Sequence, residues 1–239
     1  MDILGFTIRE TKVADFDQLE ELEKKVWTAF KTEVFTKHHF QAWVVTHPEG
    51  FLVAEKEDKI VGYVAYQKVI YDLELFLNTD YDTATQHGLT YETHNTRGDC
   101  FYVVSACSIN PGAGFALISR GQALTKEQNL KCAVAFCRIP DFAEFFNQVQ
   151  RVNMGMVLTL ELEKELSLWY SVKTASKVNG KIRGLQEPKL QLVLPQSEKI
   201  DSVLGKVLRY PDVSLQGVSA NYMKDPLSRN FAALTVFES

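Results

Sequence analysis

The sequence predicts an α/β (α+β) fold in which one mixed β-sheet carries helices on both faces. Two observations lead to this fold class. Strand-like and helix-like segments alternate along the chain in the order β-α-α-β-β-β-α-β-α, followed by further strands. No stretch rich in Pro, Gly and Ser divides the 239 residues, of which 46% are hydrophobic. We therefore expect a single domain that spans residues 1–239.

The first half of the chain predicts three strands and two helices. Residues 4–10 alternate apolar and polar side chains, as expected of a strand with one buried face. The next segment places apolar side chains at helical spacing as far as Phe30. A charged turn at 56–59 separates two apolar runs and indicates a hairpin. The predicted elements are strand 4–10, helix 16–30, helix 37–46 and strands 51–55 and 60–69.

The second half contains two segments that read as insertions. The polar, aromatic segment at about 71–99 is predicted as a long loop, with one helical turn near 71–76. The segment at about 148–199 is apolar enough to pack against the sheet without forming a domain of its own. The predicted strands are 100–109, 131–138, 189–194, 213–219 and 231–237, and the predicted helices are 115–129, 141–150, 159–177 and 198–208.

The stretch from Cys100 to Arg138 gives the clearest functional signal. A buried strand ends in the turn Asn110-Pro111-Gly112-Ala113-Gly114 and leads directly into a helix, which predicts a parallel strand–helix–strand crossover. The first N–H groups of a helix lack partners and carry a partial positive charge, and glycine lets a phosphate oxygen approach the backbone. The turn is therefore a candidate anion cradle. The alternative is an ordinary strand-to-helix turn, because the pattern is neither a Walker loop nor a complete GxGxxG motif.

Five stretches, in order along most of the chain, resemble the GNAT superfamily of acyl-CoA N-acyltransferases. The resemblance is closest to bacterial GNAT domains that occur with carbon–nitrogen hydrolases. It implies a GNAT-like mixed, splayed central sheet. The stretches are Ile8–Thr11 with Asp15 and Leu19; 48–54 with 60–63; 93–102; 129–131 with Arg138-Ile139-Pro140; and Asn221-Tyr222 with Asp225, Ser228, Phe231-Ala232 and Leu234.

The resemblance also implies a site and a chemistry. Acetyl-CoA or another acyl-CoA would be the co-substrate, with its thioester in the gap where two neighbouring parallel strands part. Backbone amides near the strand end would bind the pantetheine and polarise the thioester carbonyl, while the following turn and helix would hold the pyrophosphate. Tyr222 would act as general acid toward the leaving thiolate. The implied cofactor-binding residues are Cys107, Ser108, Ile109, Gly112, Ala113, Gly114, Phe115 and Ala116.

Two features depart from the family pattern. The cofactor loop is shortened and lacks the Arg-Gly pair that is usual in the family. The insertion at 148–199 is longer than the family suggests. A missing charge-assisted contact weakens binding, so we expect this chain to bind CoA weakly.

Several candidate residues have a structural reading beside the functional one. Tyr222 could cap the core with its hydroxyl toward solvent. Cys137, at the end of a predicted strand, is a buried structural thiol or a nucleophile, and the absence of a nearby His in the sequence favours the former. His94 could act as a base, orient its loop or lie on the surface.

The leading hypothesis is an acyl-CoA-dependent N-acyltransferase that moves an acetyl or other short acyl group to an amine of a small molecule or peptide. The alternatives are a catalytically silent GNAT-like domain that binds a ligand or protein, and transfer from an acyl carrier protein. A net charge of −4 argues against nucleic-acid or anionic-membrane binding. The sequence indicates no signal peptide, membrane span or zinc-type CxxC pair, so we expect a cytoplasmic protein without metal. A homodimer is left open.

Overall fold

The structure is a computed structural model that describes residues 1–27, 34–195 and 199–238. Within these ranges the chain divides into two compact units. The first contains residues 1–71, 81–134 and 238, and the second contains residues 72–80 and 135–237. The prediction of a single domain stays a prediction.

In chain order the described elements are β1 (Asp2–Ile3), β2 (Phe6–Glu10), α1 (Phe16–Trp27), α2 (Lys37–Thr46), β3 (Phe51–Lys56), β4 (Lys59–Val69), α3 (Leu73–Asn78), α4 (Tyr81–Thr85), β5 (Cys100–Ser108), α5 (Ala113–Glu127), β6 (Cys132–Arg138), α6 (Phe142–Val152), α7 (Leu160–Lys177), β7 (Lys181–Ile182), α8 (Leu204–Val207), β8 (Val213–Ser219) and β9 (Ala232–Glu238). Most predicted elements are confirmed to within two residues. The predicted extension of the first helix to Phe30 lies outside the described residues.

Three predictions from the second half of the chain need correction. Residues 189–194 do not form a strand, because the Asn153 side chain takes the place of a neighbouring strand. Its Oδ1 accepts from the Val193 N–H at 3.0 Å, and its Nδ2 donates to the Val193 carbonyl at 2.8 Å. In the predicted loop at 71–99, α3 confirms the helical turn expected near 71–76, whereas the second short helix, α4, was not predicted. The first residue of the helix predicted at 198–208 lies outside the described residues. Over 199–208 that helix is reduced to α8, because the Asp201 carboxylate caps the N–H groups of Val203 and Leu204 at 3.0 Å each.

The first unit is built on strands in the order β1-β2-β3-β4-β5-β6. Every neighbouring pair is antiparallel except β5 and β6, which are parallel and pair over Cys100–Tyr102 and Cys132–Val134. The predicted parallel crossover is therefore confirmed, and the sheet is mixed. The β5 strand continues to Ser108 with β4 as its partner in this unit.

Helices cover both faces of the sheet in the first unit. Because side chains alternate along β4, Tyr63 and Ala65 face one way and Tyr66 the other. The first pair belongs to a hydrophobic cluster with α1 and α2 that includes Leu19 and Phe40. Tyr66 faces α5, where a side chain on Gly121 would overlap its hydroxyl. The end of β5 thus lies on a sheet that is packed from both sides.

The second unit contains strands in the order β6-β9-β8-β7. In this unit β8 pairs with β9 antiparallel and with β7 parallel. Its core is rich in aromatic rings from α6, α7 and the segment before β9, where Phe142 lies 5.6 Å from Tyr170 and 5.7 Å from Phe231 between ring centroids. The insertion at 148–199 thus falls within this unit, where α7 contacts β8.

Two-residue strands explain the difference from the predicted strand count. The described residues contain nine strands. Of the eight strands predicted from the sequence, all except 189–194 are present. The extra strands are β1 and β7, which are too short to leave a periodic pattern in the sequence. Among the described helices, none has the length and hydropathy that crossing a bilayer would require.

Candidate functional site

The candidate site begins at the turn between β5 and α5. Gly112 is the residue before the helix and has φ +89° and ψ −23°, a left-handed conformation that glycine adopts without steric cost. This sharp turn lets α5 start at Ala113, two residues earlier than predicted. The Ala113 N–H donates to the Asn110 carbonyl at 3.2 Å, and the Ala116 N–H donates to the Gly112 carbonyl at 2.9 Å.

The first turn of α5 leaves space for an anion. Among the described residues, the structure assigns no acceptor to the Gly114 N–H. Apart from its chain neighbours and the backbone of its own helix, the described residues place one atom within 4 Å of a Cβ at Gly114, the Ser108 Oγ at 3.2 Å. Gly112 is exposed, whereas Ala113 and Ala116 are fully buried and fix the helix to the sheet. The turn therefore fits the predicted cradle through its backbone, with Gly114 as the donor.

The amides at the end of β5 divide into two sets. The Ile109 N–H donates to the Val61 carbonyl at 2.9 Å, so it is already used inside the sheet and is not available to bind pantetheine. In an antiparallel ladder, successive residues direct their N–H groups alternately toward and away from the partner strand. Ser108 and Ala106 therefore direct their N–H groups away from β4, while Cys107 directs its N–H toward β4. Of the three predicted amides, Ser108 has the required direction.

The Cys107 side chain belongs to the hydrophobic core. It is buried in the cluster shared with α1 and α2. Burial, followed by the charge of the nearby Glu23 carboxyl, raises the pKa of the Cys107 thiol well above its usual value. Cys107 is therefore an unreactive thiol in the folded protein.

Gly62 is a positioning residue that sequence reasoning missed. It lies opposite Ser108 in the β4–β5 ladder. A Cβ at Gly62 would come within 2.9 Å of the Cys107 carbonyl oxygen and of the Ser108 Cβ. The sequence feature that could have revealed it is a glycine inside a predicted strand, which often marks a place where another backbone approaches closely.

A second missed feature is a buried polar cluster on the same strand. The Glu23 side chain on α1 is 0% exposed, although glutamate is rarely buried without a partner. It accepts hydrogen bonds from the Trp27 indole N–H and the Phe35 backbone N–H, both at 2.9 Å, and from the Tyr63 hydroxyl. The Tyr63 hydroxyl also lies 2.8 Å from the Ser105 Oγ. The sequence feature that could have revealed this cluster is a glutamate four residues after Leu19, which places it on the apolar face of α1.

The electrostatics of this cluster favour neutral groups. Burial raises the pKa of the Glu23 carboxyl, and the hydrogen bonds from Tyr63, Phe35 and Trp27 offset only part of that effect. Burial likewise raises the pKa of Tyr63. Among the described residues, no lysine, arginine or histidine forms a salt bridge with Glu23.

Two other candidate residues, Tyr222 and Cys137, are buried. Tyr222 is in the second unit, 3% exposed, with its ring stacked on Phe136 at a centroid distance of 4.1 Å. Its hydroxyl is therefore not turned out to solvent. Cys137 is buried, its Sγ lies 3.4 Å from the Thr235 Oγ1, and burial raises its pKa to about 11. These two properties describe a structural thiol.

His94 orients its loop. Its Nδ1 accepts from the Lys68 backbone N–H at 3.2 Å, and its ring lies 5.0 Å from that of His47. Burial, and then the charge of Lys68, lowers the pKa of His94. Of the three roles considered for His94, the hydrogen bond supports the orienting one. In the described part of the chain, no group of three or more His, Cys, Asp and Glu side chains could hold a metal ion.

Comparisons with known proteins identify the fold. No protein-family profile matches the chain, and no curated protein matches it in sequence. Several solved structures match it over almost its whole length, among them the following two with TM-scores above 0.6. The GphF GNAT-like decarboxylase in complex with isobutyryl-CoA has a TM-score of 0.66 and 19% identity, covering 97% of this chain and 98% of that one. The loading GNATL domain of CurA from Lyngbya majuscula has a TM-score of 0.62 and 15% identity, covering 98% and 97%.

These similarities establish that the chain has a GNAT-like fold. A GNAT family acetyltransferase from Brucella melitensis in complex with acetyl-CoA matches over 54% of this chain and 74% of its own, with 12% identity and a TM-score of only 0.36, and adds nothing to the fold assignment. The predicted association with carbon–nitrogen hydrolases stays a prediction.

Proposed function

We propose that this protein is a member of the GNAT superfamily that binds an acyl-CoA and acts on its thioester. The observation that carries the proposal is the near-complete match to a GNAT-like protein bound to an acyl-CoA, in a chain whose β5–α5 turn has the open, glycine-lined geometry of an anion cradle. Both observations concern the backbone, and a backbone can be similar in two proteins whose sequence identity is low.

The chain's own residues would bind CoA mainly through the backbone. The Gly114 N–H and the N-terminal end of the α5 dipole would face the pyrophosphate. The Ser108 N–H, directed away from β4, would bind the pantetheine or the thioester carbonyl. The turn lacks an arginine. Its absence should weaken binding by about 1.5–3 kcal/mol, or about ten- to a hundredfold.

The first candidate reaction is transfer of an acetyl or short acyl group to an amine of a small molecule or peptide. Such a transfer requires a group that accepts the proton of the amine and one that protonates the leaving thiolate. We propose Tyr222 for the second role. Positioning of the amine against the thioester would supply much of the remaining rate.

The second candidate reaction is decarboxylation of a carboxylated acyl-CoA. It is favoured by a specific observation: two structures that match almost the whole of this chain with TM-scores above 0.6 are a GNAT-like decarboxylase and a GNATL loading domain. A thioester carbonyl can take up the electron pair that a departing carboxylate leaves behind, so the same amides at the end of β5 would assist either reaction.

One experiment separates these candidates. The protein is incubated with acetyl-CoA plus a panel of amines, and separately with malonyl-CoA, the simplest 2-carboxyacyl thioester. Free thiol is measured with a disulfide reagent and the CoA species by mass spectrometry. Amine-dependent thiol release supports the transferase. Conversion of malonyl-CoA to acetyl-CoA without thiol release supports the decarboxylase. Calorimetry measures binding of the same two acyl-CoAs. Binding without either product supports the silent domain, and the absence of binding contradicts the proposal.

A further inference from the structure

The buried polar cluster of Glu23, Tyr63 and Ser105, here called the Glu23 cluster, connects a buried carboxylate on α1 to β5, the strand that leads into the proposed CoA site. Tyr63 bridges the two ends, since its hydroxyl donates to Glu23 and lies 2.8 Å from the Ser105 Oγ. When Glu23 is ionised, the Tyr63 proton points to the carboxylate, so the Tyr63 oxygen accepts from Ser105. The oxygen of Ser105 then keeps its lone pairs for a further donor.

A purely structural reading explains this cluster poorly. In the described part of the chain Glu23 has no salt-bridge partner. A carboxylate buried in this way is costly to ionise, and an apolar residue in its place would usually leave the fold at least as stable. The hydroxyl of Ser105 is small and adds little packing. Both groups nevertheless occupy the hydrophobic side of the sheet, between α1 and β5.

The place of Ser105 along β5 matches the geometry of CoA. The pantetheine arm separates the pyrophosphate from the thioester, so a thioester whose pyrophosphate is held at Gly114 must lie some distance along the strand. Ser105 precedes Ser108 by three residues. Three residues of a strand correspond to about 10 Å. A group that acts on the thioester is expected in this part of β5.

We infer that Glu23, Tyr63 and Ser105 form a proton relay that serves the thioester chemistry, with Ser105 as the end that meets the substrate and Glu23 as the buried proton store. The inference rests on the proposed function. The other titratable groups that face Glu23 are Cys107 on β5 and Tyr81 on α4, both neutral at physiological pH.

In acyl transfer, the amine nitrogen forms a bond to the acyl carbon and gives its proton to Ser105. The Ser105 proton passes to the Tyr63 oxygen, and the Tyr63 proton passes to Glu23. The electron pair of the C–S bond leaves with sulfur, which takes the Tyr222 proton to give the free thiol. The proton stored on Glu23 returns through the relay to solvent, which restores the Glu23 carboxylate, and solvent protonates Tyr222 again.

In decarboxylation the relay would run in one direction only. The C–C bond to the carboxylate breaks, carbon dioxide leaves, and the electron pair stays on the carbon next to the thioester. That carbon takes the Ser105 proton, which Tyr63 and then Glu23 replace, and solvent protonates Glu23 again. The relay therefore serves either candidate reaction.

The test uses the full chain in two arms. The first needs no CoA: infrared difference spectra of wild type against Glu23→Gln follow the protonated carboxyl band from pH 4 to 9. We expect the band to persist above the pH at which ordinary glutamates ionise, about 4.3. A band that disappears with that of ordinary glutamates overturns the inference.

The second arm measures turnover, its pH profile and CoA affinity in Tyr63→Phe and Ser105→Ala. Tyr66→Phe is the matched control, because Tyr66 is also buried on β4 but faces α5. We expect kcat to fall about 10²- to 10⁴-fold in both relay variants, with loss of the ionisation assigned to Glu23 from the pH profile and unchanged CoA affinity. Ser105→Ala removes only the hydroxyl oxygen, so this variant still tests the relay if Tyr63→Phe fails to fold.

The outcomes separate the inference from the proposed function. An active wild type whose relay variants keep full kcat and the same pH profile overturns the relay while the function stands. A wild type that binds no acyl-CoA overturns the function, and the relay falls with it. Loss of activity in Tyr66→Phe equal to that in Tyr63→Phe also overturns the relay.

Discussion

Arg138 and Asp225 form a two-pronged ion pair inside the second unit. The Arg138 Nε and a terminal guanidinium nitrogen donate to the two carboxylate oxygens at 2.7 and 2.8 Å, and the side chains are 11% and 2% exposed. Ser228 also donates to Asp225 and accepts from the Ile139 N–H at 3.0 Å. The pair thus fixes the exit of β6 to the segment before β9.

Asp225→Asn should destabilise the fold by about 3–5 kcal/mol, because it leaves a buried guanidinium without its counter-charge. Burial alone would raise the pKa of Asp225, but the hydrogen bonds from Arg138 and Ser228 lower it. The stabilisation is therefore present above the pKa of an unfolded aspartate and is lost as pH falls through the lower folded value. Urea unfolding at several pH values measures both effects.

Asp212→Asn is the matched control, since it breaks the exposed Lys181–Asp212 pair. Exposed pairs contribute about 0–1 kcal/mol. Equal losses of stability in the two variants would contradict the structural role assigned to Arg138 and Asp225.

The Gly112 turn can be tested apart from backbone strain. Gly112→Ala places a Cβ on a residue with φ +89°. Gly155→Ala does the same at φ +92° in an exposed turn, where no described residue other than its chain neighbours has a heavy atom within 4 Å. Both should cost about 1–2 kcal/mol of stability. Only Gly112→Ala should also weaken CoA binding, as measured by calorimetry. Equal CoA affinity in the two variants would place the pyrophosphate elsewhere.

His47 should make the protein less stable at mildly acidic pH. Burial, followed by the charges of His94 and Lys68, lowers the pKa of His47 from 6.5 to about 4. The unfolded chain therefore takes up a proton first, and stability falls as pH drops below about 6.5 and levels off near 4. Between pH 7.5 and 5 the loss should be roughly 2 kcal/mol.

The measurement compares urea unfolding at pH 7.5 and 5 for wild type, His47→Gln and the exposed control His38→Gln. His47→Gln should reduce the pH dependence, and His38→Gln should not. An unchanged pH dependence in His47→Gln would show that another group causes it.

The four cysteines should resist thiol reagents in the folded state. All four are free and buried. The Cys132 Sγ lies 3.5 Å from the Cys100 Sγ, and their interaction lowers the pKa of Cys132 while it raises that of Cys100. We expect no rapid labelling of the native protein, four labels after unfolding, and Cys132 as the first site at intermediate urea. Rapid labelling of Cys137 would contradict its structural role.

Most helices and strands could be predicted from the sequence, because the spacing of apolar residues indicates which face of each element is buried. It located β8 and α2 without error and placed the parallel β5–β6 crossover. It failed where a single side chain replaced regular structure. Asn153 holds Val193 in irregular backbone, and no local pattern at 189–194 reveals a partner forty residues away.

The candidate site could be predicted only in part. The glycine turn is local in sequence and was found. The direction of each amide depends on β4, so the use of the Ile109 N–H by Val61 was not visible. The Glu23–Tyr63–Ser105 cluster joins residues from three elements, and each taken alone looks ordinary.

The most direct test of the account is a calorimetric titration of the wild-type chain with acetyl-CoA and malonyl-CoA. Because the backbone cradle is present and the arginine is absent, we predict saturable binding of at least one of them with a Kd of roughly 0.1–1 mM. The absence of heat with any acyl-CoA at millimolar concentration would contradict the proposal that this GNAT-like fold serves CoA thioester chemistry.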